Sequence, residues 1–387
     1  WVTAKSILTE LLNNRAEMKS YDRSVMWNYW GYLYFSEEDY DQAMYAYEQL
    51  LKEPEATVPL RTASLLTLAQ LNLVKERWDK GISLILQWMS EVETVTAQSY
   101  YLLASAYFQK TDYVRARTNM EEAIRLAEEA GYRPKENWYV LLAACFSELK
   151  DKKIISAQYA LEQQVGIYEI LVNYYPKKLY FLQLGGTYQQ MDREEDYMLT
   201  LKAAYEKDLL DKEGEYLALA QMLLLKKNPY WAAQVLVAGQ QKKVTITDED
   251  TGEEEVVAVV KDKEKTLKLL ADAWRMAQEI DKAIPVLEKA AKMSKDGDTY
   301  VLLGNLYLFE DRMEDSIRAI EAGLKKAKVK SRSQALLVLG QAHFELQNFE
   351  EAKNNSGLLQ EMKTNESRKQ QTLGLNMLRM KRSELRI

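Results

Sequence analysis

The sequence predicts an all-α, right-handed solenoid of about nine helix-turn-helix repeats with one β-hairpin insertion. Three observations predict it. First, the stretch from Trp27 to Leu51, WNYWGYLYFSEEDYDQAMYAYEQLL, returns in altered form eight more times. Second, each copy places a small residue mid-way along a first helix, at Gly31, Ala69, Ala104, Ala143, Gly185, Ala220, Ala271, Gly304 and Gly340. Third, the helical period breaks outright in one place, between Gln240 and Glu264, where two β-branched runs flank an acidic, glycine-containing turn.

The template is set by Gly31, Tyr34, Ala43, Tyr47 and Leu50. Ala104, Tyr107, Ala116, Met120 and Ala123 match it, and Ala271, Trp274, Ala283, Leu287 and Ala290 follow the same spacing. Such a pattern resembles the tetratricopeptide repeat (TPR), a helix pair with a period near 34 residues. A small residue is needed where the two helices of a repeat cross, because a bulky side chain would force them apart. The residue three later (Tyr34, Tyr107, Phe146, Tyr188, Trp274, Tyr307) lies on the same helical face and fills the gap toward the next helix.

Taken in order, residues 1–23 read as the second helix of a truncated repeat and a linker, since Ala4, Leu8 and Leu11 have second-helix spacing. The sequence is thus expected to begin inside a repeat, with any signal or anchor removed upstream. Residues 24–239 read as repeats 1–6. Within them, between Phe146 and Pro176, about nine extra residues are expected to lengthen the second helix of the fourth repeat, so that it projects roughly two turns beyond its neighbours. Residues 240–263 read as the hairpin, with KKVTIT and EVVAVV as strands and Gly252 in the turn. An isolated hairpin is marginal in water, so this one is expected to lie on the array as a loop insertion or to dock a partner. Residues 264–362 read as repeats 7–9. Residues 363–387 carry seven Lys or Arg against two Glu, and Leu373, Met377, Met380 and Leu385 suit the apolar side of a capping helix.

Composition narrows the function classes. A 387-residue chain with 47% hydrophobic residues, 6 Pro and 15 Gly can form long unbroken helices around one lengthwise core. A net charge of −6 gives no global basic field to attract nucleic acid. No run of about 20 apolar residues is present, so the sequence supplies no membrane span. With one Cys and one His, neither an internal disulfide, a His-based metal cluster nor a Cys–His nucleophile pair can be built. His343 falls on the packing position of the ninth repeat and Cys145 on a helix core, so both read as structural. DEDTG at 248–252 lacks the twelve-residue calcium-loop ligand set, and no P-loop, GxGxxG or GxSxG word occurs, so neither metal nor cofactor is expected.

Binding is therefore expected on the concave wall that the first helices line. The positions projected onto it include Asn28, Tyr32, Gln70, Tyr101, Ser105 and Asn137 in the first half. Gln189, Gln190, Gln221, Asp272, Arg275, Asn305 and Gln341 continue the row. Directly after the small residue stand Gln70, Gln221, Asn305 and Gln341, and amide side chains that both donate and accept can grip an extended peptide backbone. The alternative reading, ordinary solvated helix residues, stays open for each. The Lys/Asn, Asn, Lys/Arg clamp that captures acidic chaperone tails is absent, because Asn28 with Tyr32 and Leu66 with Gln70 occupy its places.

Several words lie between the packing positions: NYWGYLYFSEEDYDQAMYAYEQLL (28–51), KENWYVLLAACFSELKD (135–151), YPKKLYFLQLGGTYQQMD (175–192), LLADAWRMAQEIDKAIPVLEKAAKMSKDG (269–297) and YVLLGNLYLFEDRMEDSI (300–317). In this order they resemble the proteobacterial TPR-domain proteins described as components of the TonB system. The resemblance runs from Trp1 to about Leu346, and the 240–263 insertion is longer than that family's usual connection. It implies a non-catalytic periplasmic scaffold with TonB, ExbB or ExbD-type partners in outer-membrane uptake of iron chelates. A general adaptor for envelope assembly or secretion, using the same groove, is the alternative. The TPR half of a regulator or transferase is a third class, and would need a DNA-binding or catalytic domain.

Overall fold

The computed structural model of the protein describes residues 2–247, 252–326, 328–358 and 360. The chain divides between Thr200 and Leu201 into two compact units. In the first, a lone helix α1 (Val2–Asn13) precedes the pairs α2–α3 (Ser20–Ser36, Tyr40–Leu51), α4–α5 (Val58–Val74, Trp78–Glu91), α6–α7 (Ala97–Gln109, Tyr113–Glu129) and α8–α9 (Glu136–Asp151, Ala157–Tyr174). Helix α10 (Lys178–Gln190) packs on α11 (Glu194–Glu206), within which the boundary falls. The second unit holds α12–α13 (Glu213–Leu225, Pro229–Gln241), the strands β1 (Lys243–Thr247) and β2 (Glu254–Ala258), α14–α15 (Glu264–Met276, Ile280–Met293) and α16–α17 (Asp298–Phe309, Met313–Leu324). Helix α18 (Arg332–Glu345) then meets a helical stretch over residues 349–358. The chain thus forms the expected array of TPR helix pairs with a small antiparallel hairpin between two of them.

Most of the small markers sit where the partner helix leaves little room. A Cβ on Gly31 would lie 2.6 Å from the Tyr47 ring, and one on Gly304 would lie 2.5 Å from Ile320. Ala69, Ala104 and Ala220 are fully buried at the equivalent crossings. Gly340 differs, since its nearest neighbour would be 3.7 Å away. Polar ties then fix the spacing of successive helices. Arg23 makes a bidentate pair with Glu53, both contacts at 2.8 Å, and Arg61 repeats it with Glu91 at 3.1 and 3.2 Å. Hydrogen bonds from Arg23 and then Ser20 hold the Glu53 carboxyl below the usual carboxylate range, and Arg61 and then Gln87 do the same for Glu91. Tyr188 donates to Glu169 at 2.6 Å under the Arg193 guanidinium, and Tyr307, Glu288 and Arg312 repeat the arrangement.

The turn inside every repeat has a common conformation. At the turn between its two helices each repeat has one residue with positive φ: Glu38, Glu76, Thr111, Lys153, Asp192, Lys227, Gln278, Asp311 and Gln347. In eight repeats it stands seven positions after the small marker. The next residue's N–H donates back to a carbonyl five residues earlier (Asp39 to Tyr34, Arg312 to Tyr307), at 2.8–2.9 Å throughout. That closure satisfies a carbonyl left over at the helix end. Asp39 and Asp112 then cap the second helix by accepting from Gln42 and Arg115.

Two expectations need correction. The extra residues of the fourth repeat do not all extend its second helix. Its left-handed residue, Lys153, stands ten rather than seven after Ala143, so three of them lengthen α8. Helix α9 has 18 residues against 17 in α7 and 13 in α11, so it does not overreach both neighbours by two turns. The second concerns EVVAVV. The strand ends at Ala258, in register with Lys243, and Val259 and Val260 leave it to join the core. Val260 is completely buried against Gly239, and its N–H donates to the Gly239 carbonyl at 2.9 Å. The hairpin is therefore anchored at its base while its strands stay outside, with Val256 67% exposed. Gly252 has φ +71, as a turn glycine should. The capping segment expected over residues 363–387 lies outside the described residues.

Candidate binding surface on the first helices

Each first helix buries one stripe against its own second helix and its neighbours, which leaves the opposite stripe outward. In α2 the buried side is Met26, Trp27, Trp30, Gly31 and Leu33. The outward side carries Asn28, Tyr32 and Phe35, spaced at the three-to-four residue repeat of a helical face. Tyr32 is 56% exposed and Asn28 half-buried. The same outward register holds Gln70 on α4, Tyr101 and Ser105 on α6, Asn137 on α8, and Gln189 and Gln190 on α10.

In this first unit the structure brings two expected residues together. The Asn137 amide donates to the Tyr101 hydroxyl at 2.8 Å, and the Tyr101 ring stacks on buried Trp138 with centroids 5.4 Å apart. That tie fixes the aromatic plane between α6 and α8. Gln70 and Gln189 are exposed, while Gln190 donates to the Gly186 carbonyl of its own helix at 3.2 Å. In the second unit, Gln221 and Gln341 are exposed. Asn305 turns its amide onto the Val301 carbonyl of its own helix, and Arg275 pairs with Asp272 at 3.3 Å. Lys268, on the same helix, is held by Glu264 at 2.7 Å.

A second set of residues on this face was not expected. Val74 is 65% exposed, Leu179 57% and Leu225 81%, with Val140, Leu182, Phe309 and Phe344 also exposed. The sequence signal for them is that several first helices are apolar all round, such as 65–74 (LLTLAQLNLV) and 216–225 (YLALAQMLLL). Such a helix is ordinarily sunk in a core. Here one side packs and the other meets solvent.

Of the clefts that open on these helices, one in each unit is lined by exposed apolar residues of this set. The first, about 350 Å³, lies between α8 and α10 and is lined by Val140, Ala144, Leu179 and Tyr168, with Glu148 and Gln183 also on its wall. Ala144 stands in its wall at the position that Tyr32 or Gln70 fills on other helices. The second, about 530 Å³, lies between α18 and residues 349–358 and includes Leu337, Gln341, Phe344 and Phe349. Neither holds a catalytic constellation. Cys145 is fully buried, and burial pushes its thiol up to about 12, so it carries no nucleophilic thiolate. His343 is half-buried in helix packing. No described helix is long and apolar enough to cross a membrane.

Models of the tetratricopeptide repeat match residues 97–129, which span α6 and α7, and residues 301–352, from α16 into the last described helix. No curated protein matches the chain. Among solved structures it is similar to MamA, at 19% identity over 48% of this chain and 92% of that one, with a TM-score of 0.39. It is also similar to YrrB, "a TPR protein with an unusual peptide-binding site", at 14% identity over 51% and 91% with a TM-score of 0.36. A third is the TPR2AB domain of yeast Sti1, solved as a complex with pHSP90, at 10% identity over 77% and 97% with a TM-score of 0.31. These values are too low to transfer a partner or a site. The repeat geometry and the two matched segments agree that this chain is built from tetratricopeptide helix pairs.

Proposed function

We propose that the protein is a non-catalytic periplasmic scaffold that holds components of a TonB, ExbB and ExbD-type system during outer-membrane uptake of iron chelates. The observation that carries the scaffold reading is the outward stripe of first-helix residues, apolar and amide side by side, on which Gln70, Val74, Leu179, Gln189, Gln221 and Leu225 are exposed. A row of that kind supplies hydrogen bonds for a peptide backbone and apolar contacts for its side chains. The TonB assignment and the periplasmic location are supported by the sequence words at 28–51, 135–151, 175–192, 269–297 and 300–317. The absence of catalysis is supported by the buried, high-pKa Cys145 and the packed His343.

Chemical cross-linking in the native bacterium, followed by blotting for TonB, ExbB and ExbD, tests the assignment. Cross-links to at least one of them, with poorer growth on iron chelates when the gene is deleted, are expected. Cross-links only to envelope-assembly or secretion components would replace this assignment with the general adaptor. A fusion to a reporter active only after export checks the location.

A further inference from the structure

The first-helix face of the first unit is almost free of charge. Positions six, three and two before the small marker, and one, four and five after it, describe the outward stripe. In α2, α4, α6, α8 and α10 these are thirty residues, of which only Glu148 is charged. In α12, α14, α16 and α18 the same positions give twenty-four residues, of which Val301 and Val338 are buried and six are charged: Lys265, Lys268, Asp272, Arg275, Asp298 and Glu345. At the chain's average of 28% charged residues, thirty surface positions would carry about eight. Solvated helix faces are normally where charge collects, so this stripe departs from the rest of the surface.

The wall sets its occupant's chemistry. An acidic side chain pressed against it, or a basic one anywhere but beside Glu148, would lose its water and meet no opposite charge, a loss that surrounding contacts do not recover. An apolar side chain gains wherever Val74, Val140, Leu179 or Leu182 leaves apolar surface exposed. Backbone groups of an extended segment can bond to the amides of Gln70, Gln183 and Gln189, which stand among those residues. The chain's own residues 363–387, with seven Lys or Arg, carry charge that the face does not match.

Building on the scaffold reading, we propose that the first-helix face of the first unit binds an uncharged peptide segment rich in Leu, Ile, Phe or Met and interleaved with amide and hydroxyl residues. One apolar side chain of that segment fills the cleft of about 350 Å³ between α8 and α10. Glu148, the single charge among these thirty positions and part of the cleft wall, accepts a hydrogen bond from an amide or hydroxyl of the segment next to that anchor and excludes acidic residues there.

Displayed random short peptides, selected on the intact chain and counter-selected on the double variant Val140→Lys/Leu182→Lys, test this. Both positions are exposed, so the variant should keep its helical circular dichroism and its melting temperature, and these are measured first. Selected peptides should be apolar, nearly free of Asp, Glu, Lys and Arg, and bind the double variant about ten-fold or more weakly. Their affinity should change less than about two-fold between low and high salt, because no exposed ion pair is being screened. Enrichment of charged peptides, a strong loss with salt, or equal binding to the variant would overturn the proposal while leaving the scaffold reading in place. A dimer seen by sedimentation that the double variant abolishes would make a second copy the occupant. Failure to enrich any peptide on the intact chain would overturn both.

Discussion

Replacing Thr111 by Gly should stabilise the protein, although it removes a side chain and adds the residue most costly to order. Thr111 has φ +65 in the turn between α6 and α7, and its position is fixed on both sides. Its own N–H donates to the Phe108 carbonyl, and the Asp112 N–H donates to the Tyr107 carbonyl, each at 2.9 Å. An L-residue there is strained by roughly 1–2 kcal/mol, with a β-branched one at the upper end. Glycine removes that strain but loses about 0.5–1 kcal/mol more chain entropy on folding. The balance is a gain of about 1 kcal/mol. Two residues earlier, Gln109 ends α6 in right-handed conformation, so Gln109→Gly has no strain to relieve and should cost about 0.5–1 kcal/mol. Urea denaturation read by circular dichroism compares the two at constant m-value. A Thr111→Gly midpoint at or below that of the parent would refute the strain argument, as would the same sign for both variants.

Gly304→Ala should cost about 1–3 kcal/mol by forcing Ile320 away, whereas Gly340→Ala, with 3.7 Å of clearance, should be neutral or stabilising by up to about 1 kcal/mol; thermal melts of both decide it. The carboxyls of Glu53 and Glu91 titrate below their unfolded value of 4.5, so their stabilisation is complete above it and is lost as pH falls through the lower folded values. Urea midpoints measured between pH 6 and 3 should therefore fall below about pH 4.5, and less steeply in Arg23→Gln/Arg61→Gln. Replacing 244–257 by a short Gly-Ser link should leave the melting temperature nearly unchanged, while Val260→Ala alone should cost about 2 kcal/mol because that side chain is wholly buried on Gly239.

The parts of the fold legible in the sequence are those where geometry forces residue type. At Gly31 and Gly304 a Cβ would stand 2.5–2.6 Å from the partner helix, and Ala69, Ala104, Ala143, Ala220 and Ala271 are buried at their crossings, so small residues recur at one place and the markers could be read directly. The left-handed turns could not be read, because Glu38, Thr111, Asp192 and Gln278 occupy a conformation that Gly or Asn would announce. The hairpin strands were legible from their β-branched residues. Their end was not, since Val259 and Val260 look like strand and differ from Val256 only in what they meet. The outward register of Gln70, Tyr101 and Asn137 followed from helix period alone. Val74, Val140 and Leu182 escaped because an apolar residue in a first helix reads as core until the helix's neighbours are placed. The Tyr101–Asn137 bond also needed the structure, because the two residues lie 36 apart in sequence.

The central claim is that partners are held by the first-helix face of the first unit. A photo-activatable phenylalanine analogue placed at Leu182, and separately at the exposed second-helix residue Val114, tests it most directly in the native cell. The account predicts a cross-linked partner at Leu182, lost when Val140→Lys is added, and none at Val114. A partner captured at Val114 and absent at Leu182 would contradict it.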